Sequence, residues 1–385
     1  MTVSRKKILF VEASNYWGAP EHLLYELLTN DVLRNNIDVV AALTKGPVFD
    51  KFVKARYFNV FPISAQKLSK SKGIFFILKS LMLIIKTCWE LFRLIKQERP
   101  DVIQANSTHA AVYSAVIAKI MKVPLIWHVH DIYKRDVLNT LLIRCLAFLA
   151  NKIIAVSEAT RQGLCRMNVQ GEKITVVHNG LNQEIWKPLT NSNKLRDRWG
   201  IPIDAIVFMH IGRITRWKGQ HVFLNAASKI KYQNTVFLVV GGPGEIADDK
   251  IYETEIIEQI KNIGNRAKYI SWLNDPITLY AIADIVVHSS ILEDPFPTVV
   301  LEAMSLGKPV IASNLGGAKE AIENGISGII FSPYNEKELV KAMTKLIEST
   351  DLRLCMGNEA IKRFRNKFTL IHQIHNLINL YEKID

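Results

Sequence analysis

Short runs of β-branched residues alternate with longer amphipathic segments along nearly the whole chain. The alternation occurs as two series, one beginning at "KKILFVEAS" and the other at "AIVFMHIGR". Alternating strands and helices of this kind favour parallel sheets with helices on both faces. We therefore predict an α/β protein with two doubly wound parallel sheets, each in a domain of its own.

The predicted boundary between the domains lies in a polar, proline-containing stretch near residues 180–202, a composition typical of linkers. We assign residues 1–185 to the first domain and residues 186–366 to the second. The helix at 367–385 is expected to pack back on the first domain. Ligands of doubly wound proteins bind at the carboxyl ends of the strands, so we expect the two sheets to face each other across a binding cleft.

The composition is that of a globular protein, with 49% hydrophobic and 22% charged residues among 385. The N-terminal segment resembles a first strand more than a signal peptide. No apolar stretch approaches the roughly 18 residues needed to span a membrane. The four cysteines are scattered and have neither metal nor redox spacing. These features predict a cytoplasmic protein.

The formal net charge of +13 favours an anionic partner, such as a phosphorylated small molecule, an acidic lipid surface or a nucleic acid. A nucleic-acid-binding protein would show a known module or basic stripes interleaved with aromatic residues. The sequence shows neither, so we expect no nucleic-acid partner. A charge that serves solubility alone is the alternative.

The segment "GIFFILKSLMLIIKTCWELFRLIKQ" at 73–97 is apolar nearly all round and follows Lys67, Lys70 and Lys72. One interpretation is a crossover helix buried against the first sheet. The other is a helix that docks on anionic lipid at the inner face of the membrane, with Lys79 adding to the positive charge. The sequence leaves both interpretations open.

A basic turn opens the second series, where "HIGRITRWKGQHVFLNAA" runs from a strand into a helix. Arg213 and Lys218 flank this turn, and Gly212 and Gly219 leave its backbone free to bend. Two cations beside helix N–H groups at the end of a sheet make a site for a diphosphate. An ordinary basic strand–helix loop is the alternative.

The segment "LEDPFPTVVLEAMSLGKP" places carboxylates around a predicted helix start. Pro297 suits the first helical position, so the N–H groups of Thr298 and Val299 would form a second anion site. Glu302 lies on the helix face of Thr298 and would accept hydrogen bonds from a ribose. Asp294 would meet hydroxyl groups at the other end of the same ligand. Together these features favour a nucleoside diphosphate joined to a sugar.

Structural roles are the alternatives for these acids: Glu302 as a half-exposed helix residue, and Glu293 with Asp294 as a capping cluster. The segment nevertheless resembles the paired-acid motif of the retaining glycosyltransferases of family 4, in which seven residues separate two glutamates and the second glutamate opens "EAMxxGKPVIA". Asp294 takes the first position and Glu302 the second. The first acid is therefore an aspartate in this chain, and the adjacent Glu293 is the other candidate.

Other segments match the same family in order along nearly the full length. Arg213 and Lys218 resemble its phosphate-binding pair, and "WHVHDIY" resembles the loop whose histidine lies near the reacting sugar, here His130. "SNYWGAPEHLL" is similar to the glycine-rich loop after the first strand, with Gly18 alone where the family has a Gly-Gly pair. The resemblance implies a GT-B fold of two Rossmann-like domains. It implies catalytic roles for His130, Arg213, Lys218 and Asp294, and donor binding by Gly18, Arg213, Lys218, Glu293, Asp294, Pro297, Thr298, Val299 and Glu302.

The resemblance further implies transfer of a hexose from a nucleotide-diphosphate sugar to an acceptor hydroxyl with retention, in polysaccharide, lipopolysaccharide or other glycan biosynthesis. The acceptor would be a glycan or a lipid-linked glycan, and no cofactor or metal is expected. A sugar-nucleotide epimerase and a non-catalytic sugar-nucleotide-binding subunit are the alternatives. A nicotinamide-dependent dehydrogenase is disfavoured, because the first turn of this sequence lacks the G-x-G-x-x-G motif that such an enzyme would need.

Overall fold

The structure is a computed structural model that describes residues 5–66, 74–187, 192–244, 246–272 and 276–384. The chain forms two compact units. The first comprises Met1–Gly180 together with Leu370–Asp385, and the second comprises Leu181–Thr369. The division along the chain thus falls after residue 180, and the last helix belongs to the first unit.

The first unit is built on a seven-stranded sheet in which all neighbouring strands are parallel, in the order β3-β2-β1-β4-β5-β6-β7. The strands are β1 (Lys7–Glu12), β2 (Asp38–Thr44), β3 (Asn59–Ile63), β4 (Val102–Ala105), β5 (Leu125–Val129), β6 (Lys152–Ala155) and β7 (Ile174–Val176). The sequence did not predict β3. This five-residue edge strand contains Pro62, which weakens a strand pattern and is tolerated only at the edge of a sheet.

The second unit contains a six-stranded parallel sheet in the order β10-β9-β8-β11-β12-β13. Its strands are β8 (Ile206–Ile211), β9 (Thr235–Val240), β10 (Ala267–Ile270), β11 (Ile285–His288), β12 (Val310–Ser313) and β13 (Gly328–Phe331). Both sheets have the strand order of the Rossmann fold, in which the chain adds strands first on one side of the first strand and then on its other side. The predicted fold class, two Rossmann-like parallel sheets of the GT-B type, is confirmed.

Helices connect the parallel strands and cover both faces of each sheet. In the first unit they are α1 (Ala19–Thr29), α2 (Asp31–Asn36), α3 (Pro47–Ala55), α4 (Ile74–Glu98), α5 (Thr108–Met121), α6 (Val137–Leu149) and α7 (Glu158–Cys165). In the second unit they are α8 (Ser192–Arg198), α9 (Gln220–Lys229), α10 (Ala247–Ile263), α11 (Pro276–Ile282), α12 (Thr298–Ser305), α13 (Ala318–Ala321), α14 (Glu336–Glu348) and α15 (Thr350–Lys367). The last helix of the chain is α16 (Leu370–Glu382).

The two faces of the first sheet bury different helices. One core joins the sheet to α4, α5, α6 and α7, and the core on the opposite face joins it to α1, α2, α3 and α16. Helix α16 is fixed by polar contacts as well, since the Tyr381 hydroxyl donates to Gln104 Oε1 at 2.6 Å and Gly180 N donates to Gln373 Oε1 at 2.9 Å.

Helix α4 is buried over one part, as the crossover-helix interpretation expects, and exposed over another, while its docking on lipid stays a prediction. Leu91, Leu94 and Ile95 are buried in the core of the first unit. Four apolar side chains of the preceding turns are exposed: Leu81, Met82, Ile85 and Trp89. Lys67, Lys70 and Lys72 lie outside the described residues. Among the helices of the described ranges, none is long and apolar enough to cross a membrane.

Candidate functional site

The basic turn after β8 is fastened to the loop after β11 by a close backbone approach at Gly219. Gly219 has φ of 75°, and a Cβ there would lie 2.0 Å from the carbonyl oxygen of Ser289. The Ser289 hydroxyl donates to Gly219 O at 2.7 Å, and Ile291 N donates to Trp217 O at 2.8 Å. Because only glycine fits at this approach, the sequence brings Lys218 to the carboxyl edge of the second sheet.

Lys218 forms an ion pair with Asp294 at this edge. Lys218 Nζ lies 2.5 Å from Asp294 Oδ2, and the Asp294 side chain is largely buried. Burial alone would raise the pKa of Asp294, but the charge of Lys218, with smaller effects from Arg213 and from His288 where it becomes protonated at acidic pH, holds that pKa below its usual range. The carboxylate is therefore ionised at neutral pH, beside the cation predicted to bind phosphate.

The backbone of Asp294 is held by two glycines that follow β12. A Cβ on Gly316 would lie 2.0 Å from Asp294 O, and one on Gly317 would lie 2.2 Å from Pro295 O. Gly317 N donates to Asp294 O at 2.8 Å. The neighbouring Glu293 is exposed, so the geometry favours Asp294 over Glu293 as the first acid of the pair.

Helix α12 begins directly after this loop, with Pro297 at its N-cap and Thr298 as its first residue. Its first N–H groups, including those of Thr298 and Val299, have no partner within the helix, which makes this end attractive to an anion. One turn on, the Tyr280 hydroxyl donates to Glu302 Oε2 at 2.7 Å. Burial raises the pKa of Glu302, and hydrogen bonds from Tyr280 and Thr298 partly oppose the rise.

Arg213 and two histidines complete the surroundings of Lys218. Arg213 is exposed, and its carbonyl oxygen accepts from Gln220 Nε2 at 2.8 Å. His210 Nε2 lies 3.1 Å from Lys218 O, and burial lowers the pKa of His210 to about 3. His288 Nε2 lies 3.5 Å from Asp294 Oδ2, and burial lowers its pKa to about 4. Both imidazoles are therefore neutral near pH 7, so the positive charge of this site comes from Arg213 and Lys218.

In the first unit, Gly18 lies in the loop between β1 and α1. Gly18 N donates to Glu21 Oε2 at 3.1 Å, and a Cβ on Gly18 would lie 3.0 Å from that same oxygen. The preceding Trp17 packs edge-on against Tyr25, and Lys51 Nζ lies 3.8 Å from the centre of the Trp17 ring. Aromatic and cation–π contacts thus hold this loop, in which Gly18 stands alone where the family has a Gly-Gly pair.

His130 follows β5 at the same carboxyl edge of the first sheet. Its ring centre lies 4.1 Å from that of His128, and His128 Nδ1 lies 3.4 Å from Gln104 Nε2. Burial lowers the pKa of His130 to about 4. Within the described residues, His130 Nε2 is buried and has no hydrogen-bond partner. A neutral imidazole with a free ring nitrogen is suited to orienting a hydroxyl group.

Within the described ranges, no group of three or more His, Cys, Asp or Glu side chains is arranged to hold a metal ion. The second unit brings together Arg213, Lys218, Asp294 and the start of α12, and the first unit holds Gly18 and His130.

Two models of known families match this chain. The model of the group 1 glycosyl transferases matches residues 191–363, and that of glycosyltransferase family 4 matches residues 34–185. This chain belongs to the group 1 glycosyltransferases.

Two bacterial relatives of this glycosyltransferase are named for the transfer that they carry out or the pathway in which they act. An Escherichia coli protein named UDP-Gal:alpha-D-GlcNAc-diphosphoundecaprenol alpha-1,3-galactosyltransferase is 26% identical over 318 residues, which are 78% of this chain and 80% of that protein. The Staphylococcus aureus capsular polysaccharide biosynthesis glycosyltransferase CapM is 27% identical over 318 residues, which are 78% of this chain and 82% of that protein.

A solved structure of similar fold contains a nucleotide. The crystal structure of Anabaena HepE in complex with UDP aligns with a TM-score of 0.83 and 26% identity, covering 98% of this chain and 99% of that one. HepE has also been crystallised with UDP-glucose. A glycosyltransferase from Rickettsia africae aligns with a TM-score of 0.84 at 23% identity, over 99% of both chains, which shows the shared fold.

The sequence analysis of this glycosyltransferase missed several buried residues, most of which contact the site residues. His288 and His210 stand at or near the ends of strands, which is the one signal that marks them. Tyr280 gave no signal, since its contact with Glu302 is made across two helices. Glu12, at the end of β1, was missed as well. Burial, and then the charge of Glu21, raise its pKa to about 7, although it accepts hydrogen bonds from Ser107 and from two backbone N–H groups.

The low pKa of His130 leads to a test of its protonation state. With a pKa of about 4, His130 stays neutral as the pH rises from about 5 to about 8, the range in which an ordinary histidine titrates. We expect its ring C–H resonances to stay constant over that range in an NMR titration, with a free histidine-containing peptide as the reference. A midpoint for His130 near 6.5 would contradict this prediction, because the ring would then exchange its proton within the range from about 5 to about 8.

Proposed function

We propose that this glycosyltransferase moves a hexose from a uridine diphosphate sugar to an acceptor hydroxyl, with retention of configuration at the anomeric carbon. The observation that carries the proposal is the cluster of Lys218, Asp294 and Arg213 beside the N-terminus of α12. Such a cluster offers cations and N–H groups to a diphosphate and a carboxylate to sugar hydroxyls. The UDP and UDP-glucose complexes of HepE support the choice of nucleotide.

The chemistry follows from where charge develops. The bond between the anomeric carbon and the β-phosphate oxygen breaks, and the acceptor oxygen forms its bond to the same face of that carbon. The leaving phosphate takes the acceptor's proton. Negative charge therefore grows on the diphosphate, where Arg213, Lys218 and the Thr298 and Val299 amides would stabilise it. One preorganised donor of this kind contributes about 3–4 kcal/mol to the transition state.

Each remaining candidate takes a role that its surroundings support. Glu302, fixed by Tyr280, accepts hydrogen bonds from the ribose hydroxyls. Asp294 orients Lys218 and accepts from a hydroxyl of the transferred sugar. His130, as a neutral imidazole, orients a hydroxyl at the reacting end, and Gly18 leaves room for the donor's approach. The two cations supply the positive charge that a metal ion supplies in other transferases, so we propose that transfer needs no metal.

The pathway and the acceptor class are proposed from the relatives. One named relative uses an acceptor carried on diphosphoundecaprenol, and another is named for capsular polysaccharide biosynthesis. We propose that this enzyme likewise extends a glycan carried by a lipid in polysaccharide or lipopolysaccharide synthesis. The strongly positive net charge suits both a diphosphate donor and an anionic acceptor.

A donor screen tests the proposal. We expect UDP to raise the melting temperature in the presence of EDTA, with a gain of about 2.7 kcal/mol in stability at a hundredfold excess over its dissociation constant. Release of UDP from UDP-glucose and UDP-galactose, measured with glycan acceptors, then identifies the sugar, and proton NMR of the product gives its anomeric configuration. Inverted product, or an isomerised donor formed without any acceptor, would contradict the proposal.

We further propose that the first unit associates peripherally with an anionic membrane at the cytoplasmic face through α4. The exposed Leu81, Met82, Ile85 and Trp89 lie beside the exposed Lys79, Lys86 and Arg93, as in helices that lie in the lipid interface.

The prediction for α4 is salt-sensitive binding to anionic vesicles. Each basic residue near an anionic surface contributes about 1 kcal/mol, so changing Lys67, Lys70, Lys72 and Lys79 to Glu should abolish co-sedimentation with phosphatidylglycerol vesicles. Changing Lys337, Lys341, Lys345 and Lys362 of the second unit to Glu is the control with the same change in charge. Equal binding to neutral and anionic vesicles would leave α4 with a structural role alone.

A further inference from the structure

Helix α6 presents an apolar surface to solvent in the first unit. Val137, Leu141, Cys145 and Phe148 follow the helical spacing of one face, and all four are exposed. Val137 and Phe148 are 83% and 77% exposed. Leu138, at 79%, and Leu142 adjoin this face. A surface helix of a globular protein normally turns polar residues outward, so the outward face of α6 departs strongly from the expected pattern.

The inward face of α6 already accounts for its packing in the first unit. Ile143, Leu146 and Ala147 are buried in the core that α6 shares with α4 and α5. The side chains on the outward face are therefore surplus to the fold. Exposed apolar patches of this kind mark interaction surfaces.

The neighbouring helices extend the same surface. Val116 and Ile120 of α5 are exposed, as are Leu81, Met82, Ile85 and Trp89 of α4. Since α4, α5 and α6 cover one face of the first sheet, these side chains belong to one layer of helices. Most of the exposed large apolar side chains of the first unit lie on this layer.

The charges on the three helices indicate what covers them. The exposed charged side chains of this layer are basic, namely Lys79, Lys86, Arg93, Lys96, Lys119 and Arg144. The acidic residues of α4 are engaged elsewhere: Glu90 accepts from Ser64, and Glu98 pairs with Lys7. Helices α5 and α6 contain no acidic residue. Asp136, the N-cap of α6, is an exposed acid beside Val137, and its carboxylate accepts from Asn139 N. Apolar side chains flanked mainly by cations complement an anionic lipid surface, in which apolar groups enter the acyl region and cations meet the headgroups.

We propose that the outward face of α6 inserts into the leaflet of an anionic membrane and forms, with α4, the membrane-docking surface of the enzyme. This inference rests on the proposed peripheral association. It adds a second contact with the membrane, on another helix, in which apolar side chains outnumber cations more strongly than on α4. Helix α6 starts seven residues after His130, which follows β5 at the carboxyl edge of the sheet. Docking through α6 therefore holds that edge at the lipid headgroups, where the hydroxyl of a lipid-linked acceptor lies.

Cys145 provides a probe at the centre of the α6 face, and Cys355 of α15 provides a matched site in the second unit, since both are exposed. An environment-sensitive fluorophore is attached at Cys145 in a Cys355→Ser protein, and at Cys355 in a Cys145→Ser protein. Vesicles of phosphatidylcholine with phosphatidylglycerol should shift the emission of the Cys145 label to the blue and leave the Cys355 label unchanged. Unshifted emission at Cys145 while the protein co-sediments with the vesicles would overturn the proposal.

A pair of variants separates insertion from simple attraction. Leu138→Glu with Leu141→Glu should weaken vesicle binding by about tenfold or more for each leucine, because burial of that side chain is lost. Val53→Glu is the control, since Val53 is exposed on α3 over the opposite face of the sheet. Equal binding of the double variant and the control would overturn the proposal, as would a Cys145 shift that follows protein concentration without lipid, which would indicate a second copy of the chain.

Thermal stabilisation by UDP is measured in every variant to keep the two proposals apart. Unchanged far-UV circular dichroism and an unchanged melting curve without UDP show that a loss of vesicle binding is not a loss of fold, and unchanged UDP binding shows that the donor site of the second unit is intact. A wild-type protein that binds vesicles through α6 but does not bind UDP would contradict the proposed donor and leave the docking surface standing.

Discussion

Replacing Lys218 by Ala is expected to lower turnover by two or more orders of magnitude, and Arg213→Ala is expected to have a similar effect. Both cations stand where the leaving diphosphate gains charge, and a lost preorganised donor costs about 3–4 kcal/mol in the transition state. The measurement is UDP release under saturating donor, with kcat and KM determined separately. The loss should fall mainly on kcat, because the charge on the diphosphate grows as the bond breaks.

The adjacent Arg216 is the matched control for this prediction. It lies in the same turn but is exposed and pairs with Glu255 at 2.9 Å, so Arg216→Ala should keep nearly full activity. Lys218→Ala also leaves the Asp294 carboxylate without its cation, which would lower stability. The double variant Lys218→Met with Asp294→Asn removes both charges and should recover stability without recovering turnover. Near-wild-type rates for both Lys218→Ala and Arg213→Ala would disprove the phosphate assignment.

The second large effect is expected at the paired acids, with a different outcome for each. Glu302→Gln should weaken UDP binding by roughly tenfold to a hundredfold. This range corresponds to the loss of about 1.5–3 kcal/mol, the contribution of one hydrogen bond to a charged group. Asp294→Asn should lower turnover by about two orders of magnitude, since it loosens Lys218, and should leave UDP affinity nearly unchanged. Calorimetric titration with UDP and steady-state kinetics separate the two. Equal losses of UDP affinity in both variants would contradict this division of roles.

Two further measurements test the causes of these effects. Tyr280→Phe removes the hydrogen bond to Glu302 and retains the carboxylate, so it should weaken UDP binding less than Glu302→Gln does. The pKa of Asp294 is depressed in the folded protein, so its ion pair stabilises the fold above the usual aspartate pKa and is lost as the pH falls through the lower folded value. The difference in unfolding free energy between wild type and Asp294→Asn should therefore be constant above about pH 4 and shrink below it.

The sequence by itself determined the fold class, because period-two strands that alternate with helices have few stable arrangements other than parallel sheets. It also singled out Arg213, Lys218, Pro297 and Glu302, since strand–helix turns place such residues at the carboxyl edge of a sheet. Two elements escaped it. Strand β3 is a short edge strand interrupted by Pro62. The amphipathic pattern of α6 was hidden by apolar residues on both faces of that helix.

Only the tertiary structure decided which of these groups touch. The pairing of Lys218 with Asp294 depends on the approach of Gly219 to Ser289 and of Gly316 to Asp294. These two contacts join residues that are 70 and 22 positions apart in the chain, so no local sequence pattern encodes them. The protonation states of His130, His288 and Glu12 likewise follow from burial, which arises only when helices cover the sheets. The exposed face of α6 was decided in the same way, because its apolar residues divide between core and surface only once the inward side has packed.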